Sequence, residues 1–242
     1  MDGRGVVRWV LCGCVVAMFQ AGCTPAEDSV QVVRGLEAGV QVSTYVDRLG
    51  GPLAKRPVPG GEFVEWVWRR PEFVVQAVVD HAGQVDIYTV TSTDPTFDAP
   101  IPYTDGLRLG RSNFADLRFD LVSGVYTGYP ASAKYEYSEE VGPAGATHGR
   151  TLILTKSWDG TGTPRPADDA IDLLARNDLS CGRPDDTAGR PCEAVPERDR
   201  LRAGLRISGF TLTARDFDPS PVPVNRSPWL QDSACDIPGE CR

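Results

Sequence analysis

The chain has 242 residues, 25 basic and 33 acidic side chains and a net charge of −8. An acidic chain of this kind repels phosphate backbones, and no basic stripe interrupts it, so nucleic acid is excluded as a partner. Its length allows one large domain or two small ones with their own cores.

The first two dozen residues read as an export signal. Arg4 and Arg8 give a positive start, Val10 to Phe19 is an apolar run, and Gln20-Ala21-Gly22-Cys23 follows. The run is too short to span a bilayer comfortably, which favours a cleaved signal over a transmembrane helix. Small residues directly before a cysteine are what a lipoprotein signal peptidase admits. Residues 1–22 are therefore expected to be a signal peptide, with Cys23 carrying a lipid that holds the protein on the outer face of the cell membrane. Bacterial lipoboxes usually carry an aliphatic residue where Gln20 stands. The alternative is an ordinary secretory signal cleaved near Ala21 or Ala26, which gives a secreted protein. Two or three acyl chains, unlike one, suffice for stable anchoring.

Residues 23–29 form a polar tether, and a helical pattern follows. Val33, Leu36, Val40, Tyr45, Val46 and Leu49 fall at helical spacing, and Gly50-Gly51-Pro52 ends it. Gly39 weakens the middle, so two short helices are an option. Residues 53–61 are a loop rich in Pro and Gly. Three strands are predicted next: Glu62 to Arg69, with Val64, Trp66 and Trp68 on one face; Phe73 to Asp80; and Val85 to Ser92. His81-Ala82-Gly83-Gln84 is the hairpin turn between the last two. Asp94 to Tyr103 is a loop with three prolines.

The pattern then repeats. Gly35-Leu36-Glu37-Ala38-Gly39 precedes Ser43-Thr44-Tyr45-Val46-Asp47, and Gly106-Leu107-Arg108-Leu109-Gly110 precedes Ser112-Asn113-Phe114-Ala115-Asp116. Both pairs share G-L-x-x-G and S-[TN]-[YF]-[VA]-D, and a Gly-x-Pro follows each. This predicts a duplicated unit: a Ser-capped helix, a Gly-Pro break, then antiparallel strands, here Lys134 to Ser138 and Arg150 to Ser157. The units are residues 30–104 and 105–158, and residues 159–242 form an irregular C-terminal extension. Within it, Asp168 to Arg176 reads as a short helix and Leu205 to Ala214 as a strand.

Cysteine usage fits export. Cys12 and Cys14 leave with the signal, and Cys181, Cys192, Cys235 and Cys241 remain. An even number in an exported chain reads as two disulfides with three possible connectivities. Cys181–Cys192 and Cys235–Cys241 close short turn-containing loops and are favoured. No C-x-x-C pair or nearby histidine supports zinc, and no cofactor is implied.

A helical segment ending in Leu49-Gly50-Gly51-Pro52 and followed by an antiparallel sheet resembles the SmpA/OmlA lipoproteins and the β-lactamase inhibitory protein fold. Tyr88-Thr89-Val90-Thr91, with Phe97, Pro100 and Leu109-Gly110, is similar to uncharacterised bacterial envelope proteins built on this plan. The resemblance covers roughly residues 30–158. It implies an α+β fold of two small helix-plus-sheet units that bind other proteins or serve assembly. It carries no catalytic residues across.

The residues themselves offer little for catalysis. His81 beside Asp80 and Asp86 is a candidate general base, but it sits at a hairpin tip. His148 lies in a loop. Glu139-Glu140, Asp168-Asp169, Asp185-Asp186 and Asp216 with Asp218 read as solvated acidic surface, because neighbours in extended chain point apart. A carboxylate-dependent hydrolase, the alternative function, requires Asp159, Asp168, Asp172 and Glu139 to converge on a cleft. A calcium site at Asp159, Asp168, Asp169 and Asp172 has no EF-hand spacing behind it. Trp66 and Trp68 are the candidate binding residues. If their face packs on the helix they are core. If it faces water they form, beside Arg69 and Arg70, an interface patch that Tyr126, Tyr129, Tyr135 and Tyr137 extend. The expected function is non-catalytic binding of an envelope protein or cell-wall component, with the membrane reached through the lipid anchor.

Overall fold

The computed structural model describes residues 28–58, 60–117, 121–129, 134–141, 149–159, 200 and 202–217. Two short helices come first, α1 (Ser29–Arg34) and α2 (Val42–Leu49). Gly39 adopts φ 88° between them, and its N–H donates to Val85 O at 2.7 Å, so the chain breaks where the sequence places its weak point. The strands are β1 (Ala54–Pro57), β2 (Val64–Arg69), β3 (Phe73–Val79), β4 (Val85–Ser92), β5 (Leu121–Tyr129), β6 (Lys134–Val141), β7 (Leu152–Asp159) and β8 (Gly209–Thr213). All eight join one antiparallel sheet in the order β1-β2-β3-β4-β8-β7-β6-β5. The fold is therefore α+β.

The expected strands β2, β3, β4, β6, β7 and β8 are present, β8 as the Gly209–Thr213 part of the run expected at Leu205 to Ala214, and the Asp80–Gln84 hairpin is closed by Asp80 N–H to Gln84 O at 3.0 Å. Two further strands stand where none was expected. β1 occupies the loop at 53–61, and β5 occupies the approach to Gly128-Tyr129-Pro130. The helix expected at Ser112 is also corrected. Only a three-residue 3-10 turn, Phe114–Asp116, forms there. The backbone around it is already committed elsewhere: Phe114 N–H donates to Leu205 O at 3.0 Å and Ile207 N–H to Ser112 O at 2.9 Å. A strand-like pairing with residues 205–207 thus consumes groups that a helix would need.

The register explains which residues enter the core. One cross-strand row reads Trp68, Val75, Val90, Phe210, Leu154, Glu139 across six strands. The next reads Trp66, Ala77, Tyr88, Leu212, Leu152, Val141. Both lie under a layer made by α1, α2 and the irregular segment that contributes Phe97, Ala99, Ile101, Leu107, Leu109 and Phe114. The three-proline loop is therefore core cover. Gly110 (φ 69°) lets it turn: a Cβ there would stand 2.6 Å from Phe97 O.

Aromatic rings link helix to sheet. Trp66–Trp68, Trp68–Tyr45, Tyr45–Tyr88 and Tyr88–Phe210 have centroid separations of 5.8, 5.7, 6.0 and 5.7 Å. Each such pair contributes about 0.5–1.5 kcal/mol beyond its burial. Tyr45 and Tyr88 donate their hydroxyls to Glu37 O and Leu36 O at 2.9 and 3.1 Å, which pins the chain between the helices. Burial raises both phenol pKa values, so the rings stay neutral.

The opposite sheet face is more polar. Gln76, Thr91, Thr155, Thr211 and Thr213 are buried on it. Thr89 and Thr211 hydroxyls meet at 2.7 Å, and Thr213 Oγ1 accepts from Thr151 N–H at 2.8 Å. Among the described hydrophobic residues, Val58, Phe63 and Phe217 pack with Val78 and Ile87 at one end of this face.

Candidate functional site

Trp68 lies in the core and Trp66 only partly so. Trp68 is 2 % exposed, and its indole Nε1–H donates to Gly50 O at 2.9 Å. Trp66 is half-buried, with Lys55 Nζ 3.5 Å from its ring centroid. Trp68 thus follows the core alternative, with Trp66 packed only partly against the same core. Tyr137 is likewise buried, edge-on to Phe114 at 5.1 Å, and cannot extend an aromatic patch. Tyr126, Tyr129 and Tyr135 are described as strand backbone only.

What Trp68 does is floor a depression. The helix α2 stops at Gly50, whose φ of 82° turns the chain outward, and Gly51, Pro52 and Leu53 lead into β1. Leu53 N–H donates to Val67 O at 2.7 Å, so the loop is tied to β2. Between this loop and the end of β2 lies a hollow of about 650 Å³, lined by Leu49, Gly51, Pro52, Leu53, Trp68, Arg69, Arg70 and Pro71. Leu53 is 45 % exposed, and with Tyr103 it is one of two exposed large hydrophobic side chains among the described residues.

Among the described residues that line the hollow, the charged ones are Arg69, which is exposed, and Arg70, which is half-buried. Arg70 Nη2 donates to Arg48 O at 3.0 Å, at the C-terminal turn of α2, where the helix dipole favours a cation. That acceptor is a neutral carbonyl, so it orients the guanidinium without cancelling its charge. Arg70 Nε is shielded from water and has no hydrogen-bond partner.

A second polar assembly lies at the far end of the same cross-strand row. Glu139 is fully buried, and Arg202 grips it with two bonds, Nε to Oε1 at 2.6 Å and Nη2 to Oε2 at 3.0 Å. Arg202 Nη2 also donates to Phe114 O at 2.7 Å, and Tyr137 OH donates to Glu139 Oε1 at 2.6 Å. The expectation of solvated acid at Glu139-Glu140 is corrected for Glu139. The alternation that puts Tyr137 and Val141 inside puts Glu139 inside too, and an arginine from a distant segment neutralises it. A carboxylate so engaged is a structural tie between β6, the 3-10 turn and the segment that leads to β8. It does not provide a free acid for hydrolysis. Asp168, Asp169 and Asp172 lie outside the described residues, as do Asp185, Asp186 and Asp218.

His81 is exposed at its turn, where Asp80 Oδ1 accepts from Gln84 N–H at 2.8 Å. His148 is outside the described residues, as are the signal segment with Cys23 and the cysteines at 181, 192, 235 and 241. Among the described residues no group of three or more His, Cys, Asp or Glu is placed to hold a metal ion, and no helix is long and apolar enough to cross a membrane. Sequence reasoning pointed to Trp66 and Trp68 beside Arg69 and Arg70 and did not single out Leu53. The signal available for it was an apolar residue directly after a Gly-Gly-Pro break. Comparison with known protein families, with curated proteins and with solved structures finds no match to this chain.

Proposed function

We propose that this protein is a lipid-anchored envelope protein that binds another protein or a cell-wall component without catalysing a reaction. The observation that carries the binding reading is the hollow beyond α2: an exposed leucine, two prolines and two arginines around a rigid aromatic floor. Exposed apolar surface rimmed by charge is how recognition surfaces differ from ordinary protein surface. Anchorage rests on the sequence alone, on the apolar run and Ala21-Gly22-Cys23. In the same reading Cys181–Cys192 and Cys235–Cys241 are disulfides, and the two halves are related through their shared G-L-x-x-G and S-[TN]-[YF]-[VA]-D patterns. The similarity to SmpA/OmlA-type lipoproteins supports a role in assembly.

The test is site-specific photo-crosslinking in intact cells from position 53, with the probe at exposed His81 as control. One partner captured from position 53 and absent from position 81 supports the reading. Equal capture from both positions, or none, overturns it. Metabolic labelling with a fatty acid tests the anchor separately: Cys23→Ser abolishes incorporation if Cys23 is the lipid site.

A further inference from the structure

The chain enters the fold beside the hollow. Ser29 opens α1, and its hydroxyl donates to Glu72 Oε2 at 3.0 Å. Glu72 directly follows Pro71 of the hollow's wall, in a turn where Arg70 N–H donates to Phe73 O at 2.8 Å. α1 therefore starts at the end of the sheet that carries Leu53, Arg70 and Pro71. His81 marks the other end. The 7 residues of β3, Phe73–Val79, separate it from that turn by about 23 Å of extended strand.

The length of chain before α1 limits how far this end can stand from a bilayer. Cys23, the lipid site proposed above, is six residues before Ser29. Fully extended, six residues span about 20 Å. A lipid on Cys23 thus keeps the hollow close to the membrane surface and leaves His81 on the remote side. A folded partner does not enter a gap of that size, because a domain of about 100 residues is roughly 30 Å across. A chain segment emerging from the same membrane does enter it. The hollow has the dimensions and lining for such a segment: about 650 Å³, with exposed Leu53 flanked by Pro52 and Pro71. Confinement to one membrane raises the effective concentration of the two proteins, so a small surface suffices.

Resting on the anchorage and binding readings above, we infer that the hollow's partner is an integral protein of the membrane that holds Cys23. Its membrane-proximal segment seats an apolar side chain against Leu53, Pro52 and Pro71.

The test uses the lipidated full chain in phosphatidylethanolamine/phosphatidylglycerol vesicles, with a fluorescent amino acid at position 53 or 81 and a spin label on the lipid headgroups. Quenching at position 53 is expected to exceed that at position 81 at least three-fold. Inserting about 20 Gly and Ser residues between Glu27 and Asp28 adds roughly 25 Å of mean reach and is expected to remove the difference. In cells, photo-crosslinking from position 53 is expected to capture a protein that stays in the membrane through alkaline carbonate. The lengthened tether is expected to cut that capture at least five-fold. Equal quenching at both positions, capture of a protein that carbonate releases, capture of phospholipid in place of protein, or capture indifferent to tether length overturns the inference. Its failure is separable from that of the readings beneath it. Fatty acid on Cys23 with equal quenching leaves the anchor and removes this orientation. Capture of a carbonate-released protein from position 53 leaves a binding surface and removes the membrane-embedded partner. Absence of fatty acid from Cys23 removes the anchor, and the inference with it.

Discussion

Arg202 and Arg70 stand near opposite ends of one cross-strand row, and they meet opposite fates. Arg202 is sunk against Glu139 with two charge-assisted bonds and gives a third to Phe114 O. Arg70 has one bond, to a carbonyl that carries no charge, and a donor left over. A guanidinium that meets a carboxylate inside the protein is used up as structure. One that is positioned by a neutral group keeps its charge for something else. The difference lies in the segment that arrives opposite each: β6 brings Glu139, whereas the turn after α2 brings only Gly, Pro and Leu.

The largest break in this contrast comes from uncoupling the buried pair. Arg202→Met leaves Glu139 charged and uncompensated, and is expected to cost about 3–5 kcal/mol in a urea melt. The joint variant Glu139→Leu/Arg202→Met is expected to recover most of that loss. A double variant no better than the single would show that the pair does not act as a unit. At the other end of the row, Trp68→Phe removes the bond to Gly50 O and part of the floor, for about 1–3 kcal/mol. Tyr88→Phe is smaller, about 1 kcal/mol, because only the bond to Leu36 O is lost.

Asp86 sharpens the contrast from the carboxylate side. It is 7 % exposed, and its side chain is bonded by Gln84 Nε2 at 3.3 Å and by no arginine. Burial raises its pKa, an effect that the Gln84 bond opposes in part and nearby Asp80 reinforces. A raised acid pKa means that the folded state holds its proton to higher pH than the unfolded chain. Asp86 therefore destabilises the fold at neutral pH, and the penalty fades as pH falls through the raised pKa toward the ordinary carboxylate range. Asp86→Asn is expected to be more stable than the wild type at pH 7, with the gap closing toward pH 4 in paired thermal melts. A gap that widens on acidification would reverse the sign. The smallest stability effect belongs to Arg69→Gln, at an exposed position, within about 0.5 kcal/mol in the same urea melts.

Much of this architecture was written in periodicity. The helical spacing from Val33 to Leu49, the weak point at Gly39 and the alternation in β2, β3 and β4 needed only local rules. The omissions share a cause. β1 is four residues long, charged and ends in proline, so nothing in it reads as a strand until β2 pairs with it. Ser112 to Asp116 has a helix-start signature, and its capping box forms, but residues 205–207 take the backbone groups that would extend the helix. Glu139 looked like surface because Arg202 lies 63 residues away in sequence. Leu53 was hidden by its loop composition. Long-range pairing decided each of these cases, and periodicity does not record it.

The position of β8 governs the order in which the molecule can be built. It enters between β4 and β7, aligning Thr89 with a residue 122 positions later. Until that strand emerges, both neighbours present raw hydrogen-bonding edges, and the two four- and three-stranded halves have no direct seam. Closure is therefore late, non-local and slow by topology, and the incomplete chain is at its most aggregation-prone just before it. In the export proposed above, a keystone strand synthesised after the other seven postpones closure of the sheet until those seven have crossed the membrane.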